Sequence, residues 1–301
     1  MAKRTALFIV TLQCLFLCAC ALSWAGEVIV VKSLDIQPYN EALAGFKAFC
    51  NCEVDELTLS EDGRNDITRR VLDKNPDAVL AIGLDAFERL KSIHDLPVLY
   101  AMVPGPQYIP AGRANISGVS MYVSPDRNMA AIQDLFPHVE RIGIVYDPRN
   151  SEQFVREAGQ AAQARGVQLV ARKVARPADV PSAVEGLKGR IDLLWMIPDA
   201  TVINAEAVKY MLLFSFQNRI PLFTFSKKYV EMGAVAALHV FPYDMGAHAG
   251  ELYRRLMQDR NAGPLRVDSR KSVMVVNGKI ARKLGIKMRE ELVNRLEDVS
   301  R

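Results

Sequence analysis

The segment RIGIVYDPRNSEQFVREAGQAAQAR, residues 141–165, joins a strand pattern directly to a helix pattern. Arg141–Tyr146 is rich in β-branched and apolar residues, which is typical of a strand in a sheet. Residues 151–165 form an amphipathic helical window, and Gly166 ends it. A strand that leads straight into a helix is the repeating unit of parallel α/β sheets.

The same alternation recurs along the chain in two series. The first series has predicted strands at 27–32, 54–59, 78–82 and 97–103, and it closes at the breakers Pro104-Gly105-Pro106. The second begins after Pro125, with predicted strands at 141–146, 167–172, 192–197, 221–225, 235–240 and 272–276. Neither series is long enough for an eight-stranded barrel. The sequence therefore predicts an α/β protein with two doubly wound, Rossmann-like parallel-sheet lobes.

Composition agrees with a folded, globular chain of about two domains. Of its 301 residues, 50% are hydrophobic and 24% are charged, which excludes a disordered or fibrous protein. Without the basic residues of its first segment, the chain has 36 basic and 34 acidic residues. We therefore expect no nucleic acid partner. One long apolar run is present, which excludes a multi-span membrane protein.

That run lies in residues 1–25, where Lys3 and Arg4 precede an apolar stretch and small residues precede Gly26. This arrangement predicts a signal peptide that is cleaved after Ala25. A retained anchor helix is the alternative. The sequence Leu17-Cys18-Ala19-Cys20 also resembles a bacterial lipobox, with Cys20 as the lipidated residue. In both cleaved forms the mature protein is extracytoplasmic, that is, periplasmic.

The predicted mature chain retains two cysteines, Cys50 and Cys52. A Cys-x-Cys pair closes only a small ring, although export permits a disulfide. The sequence leaves two alternatives, a Cys50–Cys52 disulfide or two unpaired cysteines in the core.

The sequence contains none of the common catalytic signatures. It has no G-x-S-x-G elbow, P-loop, H-E-x-x-H helix or G-x-G-x-x-G turn after a strand. Its four histidines are scattered among a turn, a strand and two helices. We therefore expect neither an enzyme nor a bound cofactor or metal.

The loops at the carboxyl ends of the strands carry the candidate binding residues. Open α/β sheets bind ligands at these ends, and helix N-termini suit small anions. Tyrosine and phenylalanine side chains there could stack on a flat ligand. The alternative interpretation is that these strand-end residues only cap helices and form turns. The candidates are Ser33, Asp35, Tyr39, Gly83 and Asp85 in the first series, Tyr146, Asn150, Asp199, Thr201 and Phe225 in the second, and Tyr243 near the end.

Six motifs in order resemble those of the bacterial ABC-transporter substrate-binding proteins that include tryptophan- and tyrosine-binding members. The family's Y-N-P-S-N is similar to residues 146–150, its T-D-N-T-V to 198–202 and its G-A-L-A to 233–236. Its Y-x-x-G-x-x-A-G-E matches 243–251, its N-I-T-G-V resembles 115–119, and its V-I-N-x-K-x-A-K-K-L-G-I resembles 276–286. The resemblance covers nearly the whole mature chain.

The resemblance implies a type I periplasmic-binding fold, in which two hinged lobes close over a small molecule. The chain would cross between lobes near Ser120, Pro242 and Pro264. Lobe one would comprise 27–120 and 243–263, and lobe two 121–242 and 264–301. The implied protein is a monomer that delivers its ligand to an ABC permease in the inner membrane. A sensing protein that signals to a membrane receptor kinase is the alternative.

Departures from the family motifs leave the ligand open. Gly83-Leu84-Asp85 stands where the family often has G-T-P, and Pro198 and Ala200 replace a threonine and an asparagine. Loss of polar partners costs affinity steeply in a pocket that binds an amino acid. Asp85 could bind an amine or cap its own helix.

Overall fold

The structure is a computed structural model that describes residues 26–59, 67–104, 112–259, 263–289 and 297–299. The signal-peptide and lipidation predictions at Ala25 and Cys20 lie outside this range. The described strands are β1 (Glu27–Lys32), β2 (Glu53–Thr58), β3 (Ala78–Ile82), β4 (Val98–Val103), β5 (Ile116–Ser120), β6 (Arg141–Tyr146), β7 (Gln168–Lys173), β8 (Leu193–Trp195), β9 (Leu222–Thr224), β10 (Ala236–His239), β11 (Arg266–Asp268), β12 (Val273–Val276) and β13 (Glu297–Asp298).

Helices cover these strands. They are α1 (Gln37–Cys50), α2 (Ile67–Asp73), α3 (Leu84–Leu90), α4 (Pro125–Leu135), α5 (Pro148–Gln163), α6 (Val180–Glu185), α7 (Ala205–Asn218), α8 (Lys227–Glu231), α9 (Pro242–Gln258) and α10 (Gly278–Leu284). A 3₁₀ turn, Pro177–Asp179, leads into α6.

The strands form two sheets, which confirms the predicted two-lobed α/β fold. The first has the order β11-β5-β4-β3-β1-β2 and pairs in parallel throughout. The second has the order β13-β12-β10-β9-β8-β6-β7, with an antiparallel pair only between β10 and β12 among its described strands. Every residue of β3 and β4 is buried, as expected for a parallel sheet with helices on both faces.

Close packing of α9 on α1 assigns α9 to the first lobe. A Cβ added at Gly246 of α9 would overlap the carbonyl oxygen of Ala42 in α1. The two helix backbones therefore touch at a position where only glycine fits. This contact brings the beginning of α9 beside the carboxyl end of the first sheet.

Three crossings connect the lobes, and two of them are bound to each other. The first follows β5, and the third follows β11. Ser120 Oγ donates to Asp268 Oδ1 over 2.6 Å, and the Ser269 amide donates to the carbonyl of Tyr122 over 3.3 Å. The third crossing lies farther along the chain than the expected position near Pro264, because β11 pairs with β5 and so belongs to the first sheet.

A disulfide joins Cys50 at the end of α1 to Cys52 just before β2. This pairing resolves the two alternatives that the sequence left open. Asn51 between them adopts a left-handed conformation with φ 54°, which reverses the chain from the helix into the strand.

A candidate binding cleft between the two sheets

Three predicted residues of the first lobe, Ser33, Tyr39 and Gly83, meet at the ends of β1 and β3. Ser33 Oγ accepts a hydrogen bond from the amide of Ala86 over 2.9 Å, so it caps the first turn of α3. A Cβ built at Gly83 would lie 2.6 Å from Ser33 Oγ and 2.7 Å from Tyr39 Oη. Gly83 has φ 95°, which a residue with a side chain rarely adopts. Gly83 therefore allows Ser33 and Tyr39 to approach the beginning of α3.

The phenol of Tyr39 is a partly buried polar group beside the buried Ser33. Burial raises the pKa of Tyr39, and the negative charge of Asp85 raises it further. Tyr39 therefore remains a neutral hydrogen-bonding group. Asp85 itself is exposed in the first turn of α3, where a carboxylate interacts favourably with the helix dipole. Asp35 is also exposed, and it accepts hydrogen bonds from Lys32 at the end of β1 and from Asn40 in α1.

In the second lobe, Asp199 lies at the centre of a buried polar network at the ends of β6 and β8. Its Oδ2 accepts from the Asp147 amide over 2.9 Å and from Ser151 Oγ over 2.7 Å. Its Oδ1 accepts from Asn150 Nδ2 over 3.1 Å and from the Thr201 amide over 2.9 Å. Asp199 is fully buried. These four donors occupy the carboxylate, so the geometry gives Asp199 a structural role.

The other predicted residues of this lobe surround the network. Asn150 Nδ2 also donates to Thr201 Oγ1 over 2.9 Å. Thr201 Oγ1 donates in turn to Asp147 Oδ2 over 2.7 Å. The Tyr146 hydroxyl bonds outside this network, because it donates to Glu152 Oε2 over 3.1 Å. The predicted polar residues are thus brought together, with one another as partners.

Asp147 and Arg149 form an ion pair within this region. Arg149 contacts both carboxylate oxygens of Asp147, and its Nη2 also donates to the carbonyl of Ala175 over 2.5 Å. The hydrogen bonds from Arg149 are the largest influence on Asp147 and lower its pKa to about 2. These two residues stand where the related family motif has asparagine and serine. The two departures from the motif therefore compensate each other.

A cleft of about 370 Å³ lies between the lobes, and residues of both lobes line it. Tyr39 of the first lobe and Phe225 of the second are the predicted residues in its walls. Ser33 and Gly83 lie behind Tyr39. Tyr243 is 42% exposed in the first turn of α9, where its neighbours Pro242 and Met245 are the lining residues. The remaining lining residues are Ile36, Gln37, Pro38, Glu41, Met102, Met121, Ser226, Lys227, Lys228, Tyr229, Glu231, His239 and Val240.

Most of these additional residues also follow the carboxyl ends of strands. Met121 comes directly after β5, Ser226 and Tyr229 follow β9, and Val240 follows β10. The strand-end argument missed Met121 because the sequence analysis did not recognise β5. It missed Tyr229 because α8 was not predicted as a helix after β9. Correct placement of both elements would have revealed these residues.

Two α/β lobes, three crossings and a cleft between the carboxyl ends of both sheets define a two-lobed solute-binding protein. The structure resembles an ABC domain from Streptococcus pneumonia in complex with L-Trp, with a TM-score of 0.71, 21% identity and coverage of 91% of this chain and 99% of that one. It also resembles a conserved domain protein from Vibrio cholerae, with a TM-score of 0.69, 25% identity and coverage of 91% and 99%.

The sequence comparisons assign the family. Residues 52–300 match the family model for the ABC transporter substrate binding protein, so the chain belongs to that family. A tyrosine-binding protein from Clostridioides difficile is 23% identical over 236 residues, which are 74% of this chain and 67% of that protein. The family is one of binding proteins rather than enzymes, and its members are typically extracytoplasmic. Within the described ranges, no helix has the length and apolar character needed to cross a membrane.

Proposed function

We propose that this protein captures a small molecule in the cleft between its lobes and delivers it to an ABC importer in the inner membrane. The observation that carries the proposal is the position of Tyr39 and Phe225 on opposite walls of one cleft. A ligand that touches both residues interacts more strongly with the closed form than with the open form. Such differential affinity is what allows a ligand to close two lobes.

The second candidate function is sensing, in which the closed form is recognised by a membrane receptor kinase. The observation that favours it is the internal pairing of Asp199, Asn150 and Thr201, which leaves fewer polar groups for an amino-acid ligand than the family motif implies. Genes for a permease and an ATPase beside this gene would support import. A histidine-kinase gene in that place would support sensing.

We place the mature protein in the periplasm as a monomer. It would be released by cleavage after Ala25 or held by a lipid on Cys20. The Cys50–Cys52 disulfide supports this location, because disulfides form and persist in oxidising compartments. The moving bodies would be residues 27–120 with 243–268, and residues 121–242 with the chain beyond the third crossing.

A thermal-shift screen of the mature protein tests the proposal. The panel contains amino acids, aromatic acids, purines, small anions and sugars. A ligand at 100 times its dissociation constant adds about 2.7 kcal/mol to the free energy of unfolding, which raises the melting midpoint measurably. A hit that Phe225→Ala abolishes would support the cleft. Phe216→Ala is the matched control, because Phe216 is 49% exposed on α7 and is not a lining residue.

The screen also has a contradicting outcome. A folded, ligand-free protein that responds to no compound in the panel would argue against solute capture. A hit that survives Phe225→Ala and is lost in Phe216→Ala would place the site elsewhere.

A further inference from the structure

Strand β4 contains an irregularity at the edge of the cleft. Tyr100 pairs with Gly118 and Val103 pairs with Ser120, so β4 has one more residue than β5 between these pairs. Met102 lies in this bulge with φ 59°. The left-handed region is disfavoured for a residue that has a side chain. Bulges of this kind redirect side chains and often occur beside functional sites.

Hydrogen bonds on both sides hold the bulge in place. The Gly83 amide donates to the carbonyl of Ala101 over 3.0 Å, and the Met121 amide donates to the carbonyl of Val103 over 3.0 Å. Neighbouring strands therefore fix the residues before and after Met102. Unfavourable backbone conformations persist only where the surroundings determine them, and they cluster at ligand sites.

Three methionines from three different elements line the first-lobe side of the cleft. Met102 comes from the β4 bulge, Met121 from the first crossing and Met245 from α9. Met102 is 8% exposed and Met245 is 2% exposed, and both belong to one apolar core against which Met121 packs. By contrast, the lining residues Lys228 and Glu231 are exposed. These two charged side chains therefore lie on the outer part of the cleft, whereas Glu41 and Lys227 in its lining are half-buried.

On the basis of the proposed function, we infer that Met102, Met121 and Met245 form a thioether floor that contacts the apolar body of the bound solute. Met102 determines the preference of the cleft for an apolar solute. A thioether is polarizable, adapts its shape and packs well against ring edges. It offers almost no hydrogen bonding, so the hydroxyls of a polyol would lose their partners on this floor. The floor therefore selects a solute with an apolar ring or chain over a sugar.

Methionine-methyl NMR tests the inference. The mature chain is labelled with ¹³C at the methionine methyls, and Met→Leu variants assign the signals. The probes are L-tryptophan, D-ribose and the dye 1-anilinonaphthalene-8-sulfonate, an anionic sulfonate with large apolar rings. We expect L-tryptophan and the dye to shift the methyls of Met102, Met121 and Met245, with no shift at the buried core residue Met129 of α4. We expect no shift with D-ribose.

Two variants separate ligand contact from folding. Met102→Gly removes the thioether and suits the left-handed backbone, so the fold should be retained. We expect it to weaken L-tryptophan binding about tenfold or more, which is the range for losing apolar contacts in a pocket. Met129→Leu is the control, with unchanged affinity.

Several outcomes would overturn the inference. Binding of L-tryptophan without shifts at the three methyls would do so, and so would equal affinity in Met102→Gly. D-ribose binding that shifts these methyls would refute the apolar preference and leave solute capture standing. Absence of binding by L-tryptophan and by the dye would also refute it, and the wider thermal-shift panel then decides whether solute capture holds.

Discussion

The backbone amide of Asp147 donates a hydrogen bond to Oδ2 of Asp199 over 2.9 Å, and this bond ties the end of β6 to the end of β8. Asp199 would be a natural candidate for binding a ligand amine, because it follows a strand at the carboxyl edge of a sheet. Its oxygens are instead filled by donors of its own lobe. The carboxylate therefore holds the segments that follow β6 and β8 together.

Asp199→Asn should destabilise the protein rather than weaken ligand binding alone. An amide NH₂ at this position would face the amides of Asp147 and Thr201, which are donors too. Leaving a buried donor without its partner typically costs about 1–3 kcal/mol. Urea unfolding followed by circular dichroism measures this loss. A variant with an unchanged unfolding midpoint and no ligand response would show that Asp199 acts on the ligand instead.

The ion pair of Asp147 with Arg149 should make stability depend on pH in the acid range. The pKa of Asp147 is lowered from 3.8 to about 2 in the fold, and its side chain is 1% exposed. A depressed folded-state pKa adds stability above the unfolded pKa, here about 2 kcal/mol. That stability is lost as the pH falls from about 4 to about 2.

Asp147→Asn should therefore reduce the loss of stability on acidification. We expect the free energy of unfolding of the wild type to fall by about 1 kcal/mol more than that of the variant between pH 5 and pH 3. The family motif has asparagine at this position, which makes the variant compatible with the fold. Parallel curves for the two proteins would contradict the predicted role of the pair.

Arg127 should hold the third crossing against the second lobe. Its guanidinium donates to the carbonyls of Ser269 and Arg270, each over 3.3 Å, and to Ser272 Oγ over 2.7 Å. On the other side, Lys271 and Arg270 pair with residues of α9 in the first lobe. The crossing is thus attached to both lobes.

Arg127→Ala should speed amide hydrogen exchange at Ser269, whose N–H donates to the carbonyl of Tyr122. The global cost should be about 1 kcal/mol, because exposed charged contacts contribute little. Arg127→Lys, which keeps the charge without the planar fork, should be intermediate. Unchanged exchange at Ser269 in the alanine variant would mean that Arg127 does not hold the crossing.

The strand–helix alternation was sufficient to predict the two sheets, because the buried strands are continuous apolar runs. AVLAI at β3 and RIGIVY at β6 were predicted with their observed bounds. The three residues of β11 could not be recognised, because RVD carries no apolar run and lies in the sheet only through its pairing with β5. That pairing is a long-range contact that the local sequence does not reveal. The third crossing was therefore predicted too early in the chain.

The candidate site was predictable in location but not in detail. Strand-end logic identified Tyr39 and Phe225, which line the cleft. It could not distinguish a residue that faces the cleft from one whose donors and acceptors are already paired, as with Asp199. The left-handed conformation of Met102 had no sequence signal at all, because the tertiary structure imposes it on a residue that does not favour it.

Gly246 should be irreplaceable at the contact between α9 and α1. A Cβ there would overlap backbone atoms of Ala42, including its carbonyl oxygen, and backbone cannot rotate out of the way. Gly246→Ala should therefore cost about 1–3 kcal/mol or more through overpacking, despite alanine's better helix propensity. Gly159→Ala in α5 is the matched control, because a Cβ there meets nothing within 4 Å. The control should raise stability by about 0.5–1 kcal/mol, since alanine is favoured over glycine inside a helix. Chemical unfolding of both variants measures the contrast, and a gain of stability in Gly246→Ala would show that the two helices are farther apart than described.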